Sequence, residues 1–279
     1  MITDGQSHAV LDQLRAWGGI ARIVDLQRAG CSVAAIRRLV RAGALAKPGR
    51  GVVEIPGVSE DLRLTVLAAA DLTCVSALRR YGVRGMRAVS APHMTRTARP
   101  PRAAVVHRAP HSRQRPGLAR LEDALVASLT CVGELEARIL LESALGQRLC
   151  SKGQLLGRLP GNRNARLRDM VDEASECADS PLETLARLAL RNAGLTVRTQ
   201  VHIPGVGRVD MVVEDQVVIE LDGYQFHSSR EAFANDRRRS NVLAARGTPC
   251  LRFTYDDVVH RPDELVQTTK ATLASCRGR

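Results

Sequence analysis

GRVDMVVEDQVVIELDGYQFH, residues 207–227, is the stretch that decides how this chain folds. Folded as a β-hairpin centred on Asp215, it sets Val213 opposite Val217 and Asp210 opposite Glu220. One face then carries Val209, Met211, Val213, Val217, Ile219 and Leu221. The other carries Arg208, Asp210, Val212, Val218, Glu220 and Asp222, because side chains alternate and directly opposed residues share a face. A hairpin needs an apolar face, but it does not need three acids gathered at the open end of the other. Like charges side by side destabilise unless a cation lies between them, and clustered carboxylates suit hard divalent ions such as magnesium or manganese. The register calls for a turn of odd length, most simply Glu214-Asp215-Gln216. Asp222-Gly223 ends the second strand, and Gly223 permits a close approach that a side chain would block. Acids that simply face water are the bland alternative, but the run VVIEL is too dense for a casual edge strand.

Around the hairpin the last hundred residues predict a compact α/β unit. A helix opens at Ser180-Pro181-Leu182-Glu183 and runs to Asn192, with S-x-x-E as a capping box. Strands follow at Val197–Ile203 and on the hairpin, then a helix at Ser229–Arg246, a strand at Pro249–Thr254 and a helix from Pro262 to about Ala274.

The chain has 279 residues, enough for two or three domains. No run of 18 apolar residues occurs, so no membrane span is expected. The N-terminus lacks a basic flank before an apolar core, which predicts a cytoplasmic protein without a signal peptide. Seven cysteines are widely spaced with no CxxC pair, which reads as buried free thiols rather than a zinc site or disulfide framework. His93, His107 and His111 fall in a basic loop and are not expected to bind metal, since no thiol or acid is near them in sequence.

The formal charge of +12 is unevenly placed. Residues 1–60 carry +3, residues 61–175 carry +9 and residues 176–279 are neutral. Residues 72–121 hold eleven arginines and no acid. Clustered guanidinium groups neutralise phosphates and release counterions, so the placement favours a nucleic-acid partner. Arginine identity itself says less, because 38 arginines against 3 lysines is a compositional bias of the whole chain.

Residues 1–60 predict helices at His8–Trp17, Ile20–Ala29 and Val33–Arg41, the last capped by Ser32, and then a hairpin of Ala44–Lys47 and Val52–Ile55. That is the plan of a winged helix. It places Arg37, Arg38 and Arg41 on the third helix, and Lys47 and Arg50 in the wing, as candidate phosphate contacts. The segment GGIARIVDLQRAGCSVAAIRRLVRAGALAKPGRGVVEIPG resembles the N-terminal domain of AbiEi-type antitoxins and their regulatory relatives. Residues 61–175 predict a basic, mainly helical middle region. Helices are expected at Leu62–Ala70, Thr73–Tyr81, Leu121–Leu129, Gly133–Leu145 and Lys152–Leu159, with a strand at Ala103–His107 in an otherwise irregular stretch.

SPLE at 180–183, RVD at 208–210, IELDG at 219–223, His227, DRRR at 236–239 and LRF at 251–253 together resemble an actinobacterial domain. That domain is related to the very-short-patch-repair endonucleases and the wider PD-(D/E)xK nuclease superfamily. The resemblance implies a restriction-endonuclease-like α/β core with a mixed sheet, over residues 176–279. It makes Asp210 the central ligand of Mg²⁺ or Mn²⁺, with Glu220 or Asp222 supplying the second carboxylate, and sets Glu183 at the edge of the site. His227 would be the general acid or base, and Arg252 would hold a carboxylate or a phosphate. One departure stands out. The superfamily's lysine two places after the second acid is here Asp222, and the short-patch-repair relatives use histidine instead.

The expected fold is therefore multidomain α+β, with a winged helix, a basic middle region and a nuclease-like core. The first functional reading is a metal-dependent DNA endonuclease recruited to DNA by its basic regions. The alternative is an AbiEi-type regulator with a decayed nuclease fold, binding operator DNA and a toxin or other protein partner.

Overall fold

The computed structural model describes residues 4–108, 112–177, 180–222 and 230–277. The chain divides into two compact units. The first comprises Met1–Val83, Arg87–Ala137 and Cys150–Asp172. The second comprises Arg84–Met86, Arg138–Leu149 and Glu173–Arg279. No helix among the described residues is long and apolar enough to cross a membrane.

The first unit begins with α1 (Asp4–Ala16), β1 (Ile20–Arg22), α2 (Ile23–Arg28), α3 (Val33–Arg41), β2 (Ala46–Gly49) and β3 (Val52–Glu54). The strands form an antiparallel sheet in the order β1-β3-β2. Val10, Leu14, Ala21, Leu26, Ile36, Leu39 and Val53 make the core beneath it. This is the winged-helix plan with one correction. Ile20–Arg22 is a strand rather than the first turn of a helix, because Ile20 and Ala21 pair with Glu54 and Val53 and are fully buried there. Gly19, at φ +93°, makes the entry possible, since a Cβ there would lie 2.9 Å from Val58. Ser32 caps α3 as expected, its hydroxyl accepting from the Ala35 N–H at 3.4 Å.

The first unit continues with α4 (Glu60–Leu67), α5 (Cys74–Arg80), β4 (His93–Thr95), β5 (Val105–His107), β6 (Arg113–Arg115), β7 (Leu118–Ala119) and α6 (Leu121–Cys131). Then come α7 (Glu134–Gly146), which belongs to the second unit from Arg138 on, α8 (Lys152–Leu156), a 3-10 turn at Asn162–Asn164 and α9 (Ala165–Glu173). The stretch expected to be largely irregular thus gains three short strands beside the expected β5. The acid-free arginines find acids from elsewhere in the sequence. Arg113 bonds buried Asp71 at 3.0 Å and Arg80 pairs with Asp61 at 2.8 Å. Arg79, Arg96, Arg99, Arg102 and Arg108 are exposed.

The second unit holds α10 (Pro181–Asn192), β8 (Val197–Ile203), β9 (Gly207–Val213), β10 (Val217–Asp222), α11 (Arg230–Ala245), β11 (Cys250–Thr254), α12 (Tyr255–His260) and α13 (Pro262–Arg277). The sheet order is β11-β10-β9-β8, antiparallel except for the parallel β10–β11 pair. The helix α12 was not anticipated. Thr254 and Asp257 form a capping box that starts it directly after β11.

Both faces of the sheet are covered. Met211, Val213, Val217 and Ile219 pack with Leu182, Leu190, Val258, Leu265 and Leu273 from α10, α12 and α13. Val212 and Val218 pack with Leu243 of α11. Each fully buried Val, Leu or Ile contributes roughly 1.5–3 kcal/mol, so the hairpin is anchored from two sides. A second buried feature ties the latter half of α7 to α10. Glu142 is 1% exposed, accepts from Thr184 Oγ1 at 2.8 Å and from the Ser175 N–H at 3.0 Å, and is ion-paired with buried Arg187.

Candidate active site at the mouth of the hairpin

The hairpin register is the expected one. Val217 pairs with Val213, Val218 with Val212 and Ile219 with Met211. The turn is Glu214-Asp215-Gln216, closed by the Gln216 N–H donating to the Val213 carbonyl at 3.0 Å. Glu214 and Asp215 both have positive φ, as a tight turn matched to the twist of its strands requires.

The paired ladder stops at Ile219–Met211; Asp210 and Glu220 are the next residues along, close enough for the Asp210 charge to act on Glu220. Here carboxylates take over as partners of the backbone. The Leu221 N–H donates to Asp210 Oδ2 at 2.8 Å, and the Asp210 N–H bonds the Glu220 carboxylate. Val209 departs from the expected alternation. It packs with Val206, Val212, Val218 and Leu243 rather than with Met211. On the neighbouring β8, Gln200 has φ +55° between the Thr199–Met211 and Val201–Val209 pairs. Gln200 in turn donates through Nε2 to buried Glu183 at 2.7 Å. Ser180 caps α10 as expected, accepting from the Glu183 N–H, while the Glu183 carboxylate reaches the kinked strand beside Asp210.

Burial dominates the electrostatics. It pushes Glu220 up to about 7, with the neighbouring Asp210 charge adding to the shift and Arg239 and Arg252 opposing it. Asp210 is also raised, chiefly by burial, and Asp222 adds to the shift against the Leu221 N–H, Arg208 and Arg239. Arg239 of α11 bridges Glu220 Oε1 and the Arg208 carbonyl, both at 2.6 Å. Arg252 lies beside Glu220 in the β10–β11 ladder, but its guanidinium is ion-paired with Asp236 of α11, not with Asp210 or Asp222.

The structure therefore groups Asp210, Glu220, Asp222, Arg208, Arg239 and Arg252 at one end of the sheet, with Glu183 linked through Gln200. Among the described residues the three carboxylates do not converge within metal-ligand reach of one another; the group that does is Cys74, His93, His107 and Cys131. His227 lies outside the described residues. Asp236 and Arg239 belong to the DRRR motif but were given no role in the site, and Gln200 was not singled out in the sequence. For Arg239 a signal existed, since it stands one helical turn from Leu243, the residue that packs on the sheet.

At the first unit's candidate DNA surface, Arg37, Arg41, Lys47 and Arg50 are exposed. Arg38 is half-buried, and its Nε donates to Ser7 of α1 at 3.2 Å.

Residues 183–273 match the family model REase_MTES_1575, which is restriction-endonuclease-like, and residues 10–56 match AbiEi_4, described as a transcriptional regulator, AbiEi antitoxin. The restriction-endonuclease-like fold is generally dependent on divalent metal. No curated protein matches the chain. Among solved structures, the crystal structure of RV2827C protein from Mycobacterium tuberculosis is 19% identical, with 66% of this chain and 81% of that chain covered at a TM-score of 0.32. The chain thus joins an AbiEi-type N-terminal segment to a restriction-endonuclease-like C-terminal one.

Proposed function

We propose that this protein is a divalent-metal-dependent DNA endonuclease, with Asp210, Glu220 and Asp222 as the metal-holding acids and the winged helix as a DNA-recruiting module. The observation that carries the reading is the pair of raised carboxyl groups, Asp210 and Glu220, set against each other at the mouth of the hairpin. Burying two acids side by side is unfavourable, and strongly perturbed acids in one cluster mark functional sites. All-oxygen carboxylate donors suit a hard cation by chemistry, and since the three acids stand apart without one, an ion would have to draw them together. Arg239 engages Oε1 of Glu220 and the Leu221 N–H engages Oδ2 of Asp210, so an added cation would relieve the remaining repulsion.

A bound Mg²⁺ or Mn²⁺ would supply a water of lowered pKa and neutralise charge on the phosphate. The chain's own groups do the rest. Glu220, held partly protonated near neutrality in the metal-free site, would give up that proton on binding the ion. Arg208, Arg239 and Arg252 place positive charge where a scissile phosphate would lie, and Arg239 orients Glu220. Arg37, Arg41, Lys47 and Arg50 would contact the DNA backbone without reading its sequence.

A regulator of AbiEi type, with DNA and a toxin as partners, is favoured by one feature: the Arg239–Glu220 bond partly neutralises the acids from within, as a site relieved of catalysis would be. Incubation with supercoiled plasmid and Mg²⁺ or Mn²⁺ separates the two. The nuclease reading expects nicked or linear DNA from wild type and none from Asp222→Ala. Intact plasmid with both proteins, under conditions where both bind DNA, leaves the regulator.

A further inference from the structure

We propose that Cys74, His93, His107 and Cys131 form a tetrahedral zinc site that staples the middle of the first unit. In sequence no thiol lies near His93 or His107, but the fold brings Cys74 and Cys131 beside them. The four residues come from four elements: the start of α5, β4, β5 and the last residue of α6. Their ligand atoms all lie within 4.8 Å of one another. His93 Nδ1 is 3.2 Å from His107 Nε2 and 3.6 Å from Cys131 Sγ.

Those separations have a simple meaning. A tetrahedral zinc ion, with Zn–N of about 2.05 Å and Zn–S of about 2.3 Å, sets two nitrogens roughly 3.3 Å apart and a nitrogen and a sulfur roughly 3.6 Å apart. The two His93 edges match those of such a tetrahedron, and the remaining ligand atoms lie within 4.8 Å. Two sulfur and two nitrogen donors in that geometry select zinc, and four protein ligands make the site structural rather than catalytic. Loading it would release the two thiol protons to solvent, because the bound forms are thiolates and neutral imidazoles.

The surroundings are built to hold these groups. Cys74 is fully buried and sits at φ +50°, a left-handed conformation that disfavours any residue bearing a Cβ. The backbone of His93 is fastened to the same corner. Its N–H donates to Ser76 Oγ and its carbonyl accepts from the Thr73 N–H, both at 2.9 Å. The segment also has need of a staple. Between Val83 and Leu118, Pro92 and Met94 are the buried apolar side chains among the described residues. The sheet Met94 belongs to pairs β4 and β5, strands of only three residues each. So small a parallel pair, with so little core, is marginal without a cross-link.

Elemental analysis of the full chain, purified under reducing conditions without chelator, tests the site. Expected is about one zinc per chain, retained in Asp210→Asn and lost in Cys131→Ser and in His107→Asn, with a lower melting temperature after chelation. Should those two variants fail to fold, cobalt(II) exchanged into wild type decides: intense visible bands and a thiolate charge-transfer band mark a tetrahedral sulfur site. Wild type that holds no zinc and takes up no cobalt overturns the proposal. So does zinc that persists in folded Cys131→Ser and His107→Asn, or a Cys74–Cys131 disulfide in place of the metal.

Discussion

Glu142 and Glu220 are both acids drawn into the interior of the second unit, and the protein treats them differently. Glu142 is sealed. Arg187, Thr184 and the Ser175 N–H satisfy both its oxygens, and it is 1% exposed. Glu220 is left in tension. One arginine serves it while Asp210 faces it, and burial with that charge pushes it up to about 7. Full satisfaction holds a structure in one arrangement, whereas incomplete satisfaction leaves capacity for a ligand. The acids near the hairpin mouth thus differ in kind from the acid behind α10, although both belong to the same fold.

The sharpest way to break the comparison is to remove each acid. Glu142→Ala strands the buried Arg187 charge and should cost about 3–5 kcal/mol in urea unfolding. The double variant Glu142→Leu/Arg187→Met should recover most of that loss, since it removes both charges together. Asp210→Asn and Glu220→Gln should instead leave stability within about 1 kcal/mol of wild type or raise it, while abolishing plasmid cleavage. A large loss of stability in Glu220→Gln would make that acid as structural as Glu142.

A smaller effect follows from pH. Glu220 is raised in the folded protein, so the fold prefers its protonated form. Between about 4.5, the ordinary glutamate value, and about 7 the folded state binds more protons than the unfolded, and stability should fall as pH rises through that window. Melting temperatures of wild type and Glu220→Gln, compared from pH 5 to 8, should converge at the acid end and separate toward pH 8, with the variant the more stable. Parallel curves would contradict the assignment.

The smallest effect lies in the winged helix, where the same contrast recurs between arginines. Arg38 is engaged with Ser7, while Arg37 and Arg41 are exposed. Arg37→Glu and Arg41→Glu should weaken DNA binding across sequences and lower the log–log salt slope by roughly 0.9 for each lost contact, without changing the melt. Arg38→Glu should lower the melting temperature of the fold. Equal slopes in all three variants would move the DNA surface to the exposed arginines of the middle region.

The hairpin was legible because a period of two is a strong signal: the acids, the apolar face and the turn all follow from one register. What escaped was information carried by other elements. The run DRRR has no readable face until Leu243 is known to sit on the sheet, so Arg239 had no legible role and the carboxylate that Arg252 holds, Asp236, could not be named. The strand at Ile20–Arg22 depends on pairing with Glu54, far along the chain. The Cys74–His93–His107–Cys131 cluster has no compact spacing, because four elements and not one loop assemble it.

The most direct test of the central claim is calorimetric titration of Mn²⁺ into the zinc-replete protein near pH 6.5, in two buffers of different ionisation enthalpy. The account predicts saturable binding with partial proton release, since Mn²⁺ must displace the proton that Glu220 holds near its raised pKa. Glu220→Gln should lose the proton release, and Asp210→Asn should lose most of the binding. Binding unchanged in Asp210→Asn, or none in wild type, would contradict it.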